Sequence, residues 1–326
     1  MTTSIPIVDL ERIACTENTS SSDWEDVAIE IRNSLHDVGF MYLINHGVPQ
    51  DVIADNFKIS ENFFTLPREA KMKYKKNLKK SRNGWVEPGE ELLHPDSKFE
   101  YRECFDIIRR KPIYPNDDIL TFESTNTKLQ FHCQKLIRNL LKLLALSLKI
   151  DDHEYFVKCC HHLDNPETDN ECDFSMIHYP PIHSDTVLPP NTIRCAEHTD
   201  YEILTLLFQN EIGGLEIKIT DGNWIAADPI PNSILVNTGD LLEVWTNKFY
   251  PATLHRVVIP KTAEERQKSR YSFAYFIAPD NGTMIQPLES EVIPHDATCT
   301  TSEKTFTAYE HIMDRVNTAY GVKVNK

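Results

Sequence analysis

The residues best placed to do chemistry lie in the C-terminal half, where His198-Thr199-Asp200 is followed by His255, 55 residues after Asp200. On a strand, residues i and i+2 share a face, so His198 and Asp200 can point into one space while Thr199 points away. Two imidazoles and one carboxylate on one face of an octahedral metal leave three positions open. That arrangement suits a non-haem iron(II) centre at which a co-substrate and O2 must both bind. The H-x-D spacing alone is a weak signal, because a lone histidine is more often a satisfied core or surface residue. Zinc could use the same ligands, although a structural zinc site wants a fourth protein ligand.

A second group, Arg270-Tyr271-Ser272, opens a strand that continues Phe273-Ala274-Tyr275-Phe276. Arg270 and Ser272 share one face of it, with Ala274 and Phe276 following. A guanidinium on an inner wall is costly unless it meets an anion. Its planar fork fits a carboxylate bidentately, and a serine hydroxyl adds one donor. The alternative is a structural ion pair with one of the chain's 49 acidic residues. The run Cys159-Cys160-His161-His162 also invites a metal reading. Adjacent residues diverge, however, and no second cluster stands at zinc-finger spacing, so a helix end or loop is expected there.

The elements that position these groups change character along the chain. Ile5-Pro6-Ile7-Val8-Asp9-Leu10 reads as a short strand and residues 11–22 as a polar loop ending in a capping box of Ser22 and Glu25. Trp24, Val27, Ile31 and Leu35 then recur at helical spacing up to Gly39. Phe40–Ile44 is a strand turning at Asn45-His46-Gly47, and a helix from about Asp51 to Phe64 is broken at Leu66-Pro67. Residues 81–120 are Pro-punctuated loops with short strands. A long amphipathic helix spans about Asn126–Ile150, with Leu129, Cys133, Leu136, Leu140, Leu143 and Leu144 on its buried face and Ser147 interrupting it. Residues 151–171 form a short helix and a polar loop. From residue 172, short apolar runs alternate with turn signals at roughly ten-residue intervals, the texture of a sandwich or barrel. Leu215, Ile217 and Ile219 alternate with polar residues before a turn at Asp221-Gly222, and Ser233–Asn237 leads to a turn at Gly239-Asp240. The expected architecture is an α/β N-terminal half laid around a C-terminal β-barrel.

Composition sets the outer bounds. The 326 residues are long enough for one large core or two domains. A net charge of −15 opposes phosphate backbones and argues against nucleic-acid partners. The N-terminal residues lack an apolar signal segment, and no run approaches the roughly 18 apolar residues of a membrane span. Eight scattered cysteines with no C-x-x-C pair fit a reduced, cytoplasmic setting.

Taken in order, the motifs resemble the iron(II)/2-oxoglutarate-dependent dioxygenase superfamily, in the branch of isopenicillin N synthase and the plant 2-oxoglutarate oxygenases. The N-terminal half contributes Ile5–Leu10, Gly39–Pro49, Phe63-Phe64-Thr65-Leu66-Pro67 and Lys71-Met72-Lys73-Tyr74. The C-terminal half contributes Tyr179-Pro180-Pro181, His198-Thr199-Asp200, Leu204–Leu207, Gly213-Gly214-Leu215, Asn237-Thr238-Gly239-Asp240, Leu254–Val257 and Arg270-Tyr271-Ser272. The resemblance covers almost the whole chain. It implies a mainly β fold with surrounding helices, a double-stranded β-helix (jelly roll) core with an α/β N-terminal region. The expected segments are 1–120 for that region, 121–171 for the supporting helix and connector, 172–285 for the jelly-roll core and 286–326 for a C-terminal extension.

The resemblance further implies that His198, Asp200 and His255 bind Fe(II). Arg270 and Ser272 would clamp the distal carboxylate of 2-oxoglutarate, and Tyr179 would help hold it. The reaction implied is oxidative decarboxylation of 2-oxoglutarate by O2 to succinate and CO2, coupled to oxidation, most simply hydroxylation, of a small molecule. Ascorbate is a candidate stimulant, and no catalytic residue beyond the metal ligands is expected. Substrate contacts are expected from the 81–106 segment through Asn83, Tyr101 and Phe105, and from Tyr201 and Phe276. His46 is read as a decoy and Asp9, Gly213-Gly214 and Gly239-Asp240 as fold-shaping. Two departures stand out. Ile177 replaces the Asn that many plant members carry two residues before the tyrosine, and the gap from His255 to Arg270 is lengthened to 15 residues. The competing readings are an iron oxidase of the same fold that dispenses with 2-oxoglutarate, and a catalytically silent binding protein. The sequence selects no oligomeric state.

Overall fold

The structure is a computed structural model describing residues 4–14, 20–94, 96–108, 112–293 and 305–321. Twelve of its strands build two facing sheets. In chain order they are β1 (Ile7–Asp9), β2 (Phe40–Ile44), β3 (Gly84–Val86), β4 (Glu103–Ile108), β5 (Asp173–Tyr179) and β6 (Cys195–His198), followed by β7 (Leu204–Gln209), β8 (Leu215–Lys218), β9 (Trp224–Ala226), β10 (Ile234–Thr238), β11 (His255–Val257) and β12 (Arg270–Ile277). The large sheet runs β1-β2-β10-β7-β12-β5-β4-β3 and the small one β6-β11-β8-β9. This is the jelly-roll arrangement, helices packed outside.

Strand alternation explains why most large-sheet strands are buried on both faces. Met41, Leu43, Phe105, Met176, Phe208, Phe273 and Tyr275 face outward, into one continuous core with the helices. Phe40, Tyr42, Tyr179 and Leu235 face inward and meet Leu215, Ile217 and Val257 of the small sheet. The space left between the sheets is the cavity described below.

The outer layer consists of α2 (Ser21–Asp37), α3 (Gln50–Phe64) and α5 (Phe122–Ser147), with the single turns α1 (Glu11–Ala14), α4 (Arg68–Lys71) and α6 (Tyr155–Lys158) between them. Val27, Ile31 and Leu35 on α2 and Leu129, Cys133, Leu136, Leu140, Leu143 and Leu144 on α5 are all buried, as their spacing requires. Three later helices, α7 (Asp240–Trp245), α8 (Ala263–Arg266) and α9 (Ala308–Ala319), follow. A two-stranded ribbon of β13 (Met284–Ile285) and β14 (Phe306–Thr307) leads into α9.

Several expectations need correction. Residues 11–22 are not all loop, because Glu11–Ala14 makes a helical turn and α2 starts at Ser21. The capping box is formed by Ser20 and Asp23, two residues earlier than expected, since Asp serves as well as Glu in reaching back to the cap N–H. The long helix runs Phe122–Ser147, shifted toward the N-terminus, and Ser147 does not spoil its buried face: its hydroxyl bonds the Leu144 carbonyl and the Tyr250 phenol at 2.8 and 2.7 Å. Gly239-Asp240 is the start of α7, not a turn. The N-terminal half does pack its helices around the barrel, and beyond that expectation it supplies four of the eight strands of the large sheet. Cys15 and Cys299 lie outside the described residues, and the six described cysteines are free thiols.

Candidate functional site

Pairing of β6 with β11 sets His255 directly opposite His198. Asp200 follows β6 by two residues, on a loop held by the first turn of α7: Asp240 N–H donates to Asp200 O at 2.8 Å and Leu241 N–H to Tyr201 O at 3.2 Å. The glycine at 239 makes this possible, since a Cβ there would sit 2.4 Å from the Glu202 carbonyl.

One oxygen of Asp200, Oδ1, lies 3.7 Å from His198 Nε2 and 3.5 Å from His255 Nε2. The three atoms form the one His/Cys/Asp/Glu group among the described residues whose ligand atoms fall within 4.8 Å of one another. The remaining atoms are engaged so as to leave these free. His198 Nδ1 meets the Ala196 carbonyl at 2.8 Å and His255 Nδ1 the Thr253 carbonyl at 3.1 Å, which presents Nε2 inward on both rings. Asp200 Oδ2 accepts from the Thr205 hydroxyl at 2.5 Å and the Asn237 amide at 2.7 Å.

Electrostatics agree with a cation site. Burial, with the neighbouring His255, pushes His198 down to about 3, so its Nε2 carries a lone pair. Burial opposes the charged form of His255 too, but Asp200 outweighs it and holds that imidazole above its ordinary value. Burial also works against the Asp200 carboxylate, yet the two histidines and Asn237 keep it ionised, well below the usual range. Two neutralisable imidazoles and one buried carboxylate fit Fe(II), with three positions left for other ligands.

Arg270 and Ser272 line the same cavity. Arg270 Nη1 donates to Ser272 Oγ at 3.2 Å and Nη2 to Gln209 Oε1 at 2.8 Å, while Nε has no partner. Its guanidinium lies 4.7 Å from the Tyr179 ring centre and is 1% exposed. No carboxylate of the described residues pairs with it, which removes the structural ion-pair alternative and leaves a buried fork suited to an incoming carboxylate. Burial raises the Tyr179 phenol to about 12, so it stays a neutral donor. Ile177 lies opposite Ser272 on β5 and lines the cavity as an apolar residue.

Of the expected substrate contacts, Tyr201 and Phe276 line the cavity and Asn83, Tyr101 and Phe105 do not. In each failure the neighbouring residue does: Arg82, Arg102 and Asp106. Phe105 is on the outward face of β4, edge-on to Phe63 at 4.6 Å, because side chains alternate along the strand. Asn83 Oδ1 accepts from Ile108 N–H at 2.8 Å and so pins β4. The Tyr101 phenol turns toward the Pro181 carbonyl. The sequence reading also missed Gln209, which holds Arg270, and the lining residues Lys76, Asp173 and Glu202, with Val316 on α9 and Tyr320 at its C-cap, which close the cavity from the far end of the chain.

His46 is no ligand; its Nδ1 accepts from Val48 N–H at 3.1 Å in the turn. Thr199 points away, its carbonyl and hydroxyl accepting from Arg315. His161 and His162, at the end of α6, both engage Asp280 through Nδ1, and His162 Nε2 lies 3.3 Å from Cys172 Sγ.

Comparison with known proteins adds an independent line. Residues 170–279 match the 2OG-Fe(II) oxygenase superfamily, and residues 5–129 match the family described as non-haem dioxygenase in morphine synthesis N-terminal. Proline hydroxylase buaE of Petromyces alliaceus is 31% identical over 87% of this chain and 91% of its own length. A 1-aminocyclopropane-1-carboxylate oxidase of Dictyostelium discoideum is 28% identical over 84% and 82%. The crystal structure of a full-length Neurospora crassa protein in complex with alpha-KG superposes with a TM-score of 0.82 at 27% identity, covering 96% of this chain and 95% of that one.

Proposed function

Because the chain belongs to the 2OG-Fe(II) oxygenase superfamily, enzymes that use Fe(II), 2-oxoglutarate and O2, we propose that His198, Asp200 and His255 hold the iron and that Arg270, Ser272 and Tyr179 hold the co-substrate. The observation that carries the reading is the convergence of two Nε2 atoms on Asp200 Oδ1 in a cavity that also contains a buried Arg270 with no carboxylate partner among the described residues. The protein is a 2-oxoglutarate-dependent oxidoreductase, and the substrate we assign to it is a small molecule.

The iron, when bound, supplies the oxidative decarboxylation of 2-oxoglutarate to succinate and CO2 and the coupled oxidation of substrate. The protein's share is positioning. Thr205 and Asn237 fix the Asp200 carboxylate, and the Ala196 and Thr253 carbonyls fix the two rings. Gln209 and Ser272 hold the Arg270 fork in plane for the distal carboxylate. Tyr201 and Phe276 narrow the substrate side, and Val316 and Tyr320 exclude water from it.

In this reading the segment 172–285 carries the chemistry, β1 to β4 of the segment 1–120 complete the large sheet, α5 of the segment 121–171 supports it, and Val316 and Tyr320 of the segment 286–326 close the cavity. No helix among the described residues is long and apolar enough to cross a membrane. The free thiols support assignment to the cytoplasm.

The test is succinate release from 2-oxoglutarate under O2, with and without Fe(II). Iron-dependent release that falls in an Arg270→Ala variant supports the reading. Release that is absent while the protein binds Fe(II) sinks the 2-oxoglutarate assignment in favour of an oxidase that dispenses with it.

A further inference from the structure

The cavity wall is chemically unequal at its two ends. On β12 and β5 the inward positions pair as Arg270 with Tyr179 at one end and Phe276 with Asp173 at the other, six residues along and therefore roughly 20 Å away. The first end is cationic. At the second, two cations line the cavity, and each is already matched: Lys76 pairs with Asp106 and Arg82 with Glu171 at 3.3 Å. Arg102 precedes the Glu103–His178 pair, so it lies toward the Tyr179 end, and is matched by Glu91 at 2.8 Å. Two lining carboxylates remain, Asp173 and Glu202.

Neither has a cationic partner within salt-bridge distance among the described residues. Asp173 Oδ1 is sealed from solvent and has no hydrogen-bond partner. Glu202 is 5% exposed; the Tyr201 N–H donates to its Oε2 at 3.2 Å and its own backbone N–H adds a second donor, but no cation pairs with it among the described residues. The metal and co-substrate do not offset them: the charges of Fe(II), Asp200, 2-oxoglutarate and Arg270 already cancel. Burial, with Asp106 nearby, raises the Asp173 carboxyl to about 8, so without a counter-charge it is largely neutral and a cationic ligand would favour its ionised form. Buried carboxylates left unpaired are costly, so such a pair persists where a ligand supplies the positive charge.

We propose that the substrate carries a cationic nitrogen (an amine, amidine or guanidine) received by Asp173 and Glu202; this rests on the iron and co-substrate reading above.

The test uses full-length protein loaded with Mn(II), which does not turn over, and 2-oxoglutarate. Calorimetric titration compares matched probes: L-arginine with L-citrulline, L-lysine with L-norleucine, and agmatine and cadaverine alone. We expect at least one charged probe to bind tenfold or more tighter than its neutral match, and Asp173→Asn or Glu202→Gln to erase that preference while 2-oxoglutarate affinity stays within about twofold. Neutral probes binding as tightly, no charged probe binding, or variants keeping the preference would each overturn the proposal. Ligand-free melts need no substrate. Uncompensated carboxylates predict that Asp173→Asn melts at or above wild type, whereas Asp106→Asn melts lower; a clear drop for Asp173→Asn means a structural role and also overturns it. Failure of 2-oxoglutarate itself to bind would instead defeat the co-substrate reading.

Discussion

Two histidines and an aspartate meet at two places among the described residues, and only one of them turns free donor atoms toward a common point. At the cavity, His198 and His255 spend Nδ1 on backbone carbonyls and turn Nε2 toward one oxygen of Asp200. At the end of α6, His161 and His162 spend Nδ1 on Asp280 at 2.7 and 3.3 Å, their backbone N–H groups donate to the same carboxylate, and His162 Nε2 faces Cys172. The residue types are the same. What differs is whether the surroundings leave the donor atoms free and convergent or consume them in a clip that ties the α6 end to the segment after β12.

The largest effect that would separate the two sets is on turnover. His198→Ala and Asp200→Ala are each expected to abolish iron-dependent succinate release, while the circular-dichroism spectrum and the metal-free melt stay near wild type. Asp280→Asn is expected to leave release within about twofold. Loss of activity in the Asp280 variant with retained fold would break the comparison.

Next come the groups that hold the cavity set in place. Thr205→Val removes the hydroxyl on Asp200 Oδ2 and should weaken Fe(II) binding by roughly tenfold to a hundredfold, measured by competition with a chelator. Arg270→Ala should cost about 1.5–3 kcal/mol in 2-oxoglutarate binding, with Arg270→Lys recovering part because an ammonium lacks the planar fork. Equal affinities for wild type and Arg270→Ala in a titration would remove the clamp.

The clip should show itself in stability instead. Asp280→Asn is expected to lose about 2 kcal/mol at neutral pH, the order of a charged hydrogen-bond group. Burial opposes the Asp280 carboxylate, but His162 and His161 outweigh it and hold its folded value below the ordinary one. Its contribution is therefore complete above about pH 4 and disappears as pH falls through the lower folded value. Chemical denaturation at pH 7 and at pH 3 should show the difference between wild type and variant shrink; a constant difference would mean that charge is not what Asp280 contributes. The smallest effect is Ser272→Ala, about 1 kcal/mol on 2-oxoglutarate alone.

The same contrast explains what the sequence could reveal. The His198, Asp200 and His255 set was readable as a candidate from its residue types and order, although Asp200 lies past the end of β6 and is brought beside His198 by a loop held by α7, not by strand alternation. The long helices were legible from the spacing of Val27, Ile31 and Leu35 or of Leu136, Leu140 and Leu144. The substrate wall was not, because its face depends on register. Choosing the aromatic or amide residues Asn83, Tyr101 and Phe105 selected the outward or turned-away position each time, while Arg82, Arg102 and Asp106 face in. Charged residues at inward positions run against the usual preference for apolar filling, so pattern reading favours the wrong neighbour. Val316 and Tyr320 reach the cavity through tertiary packing of α9, for which no local spacing is a signal. The capping box moved by two residues because the polar stretch around Ser20, Ser22, Asp23 and Glu25 offers two overlapping solutions.

The most direct test of the account is an anaerobic Fe(II) titration, read by calorimetry, of wild type, His255→Ala and His162→Ala. The account predicts one iron per chain for wild type and for His162→Ala, and none for His255→Ala. Iron retained by His255→Ala at wild-type affinity, or lost from a folded His162→Ala, would contradict it.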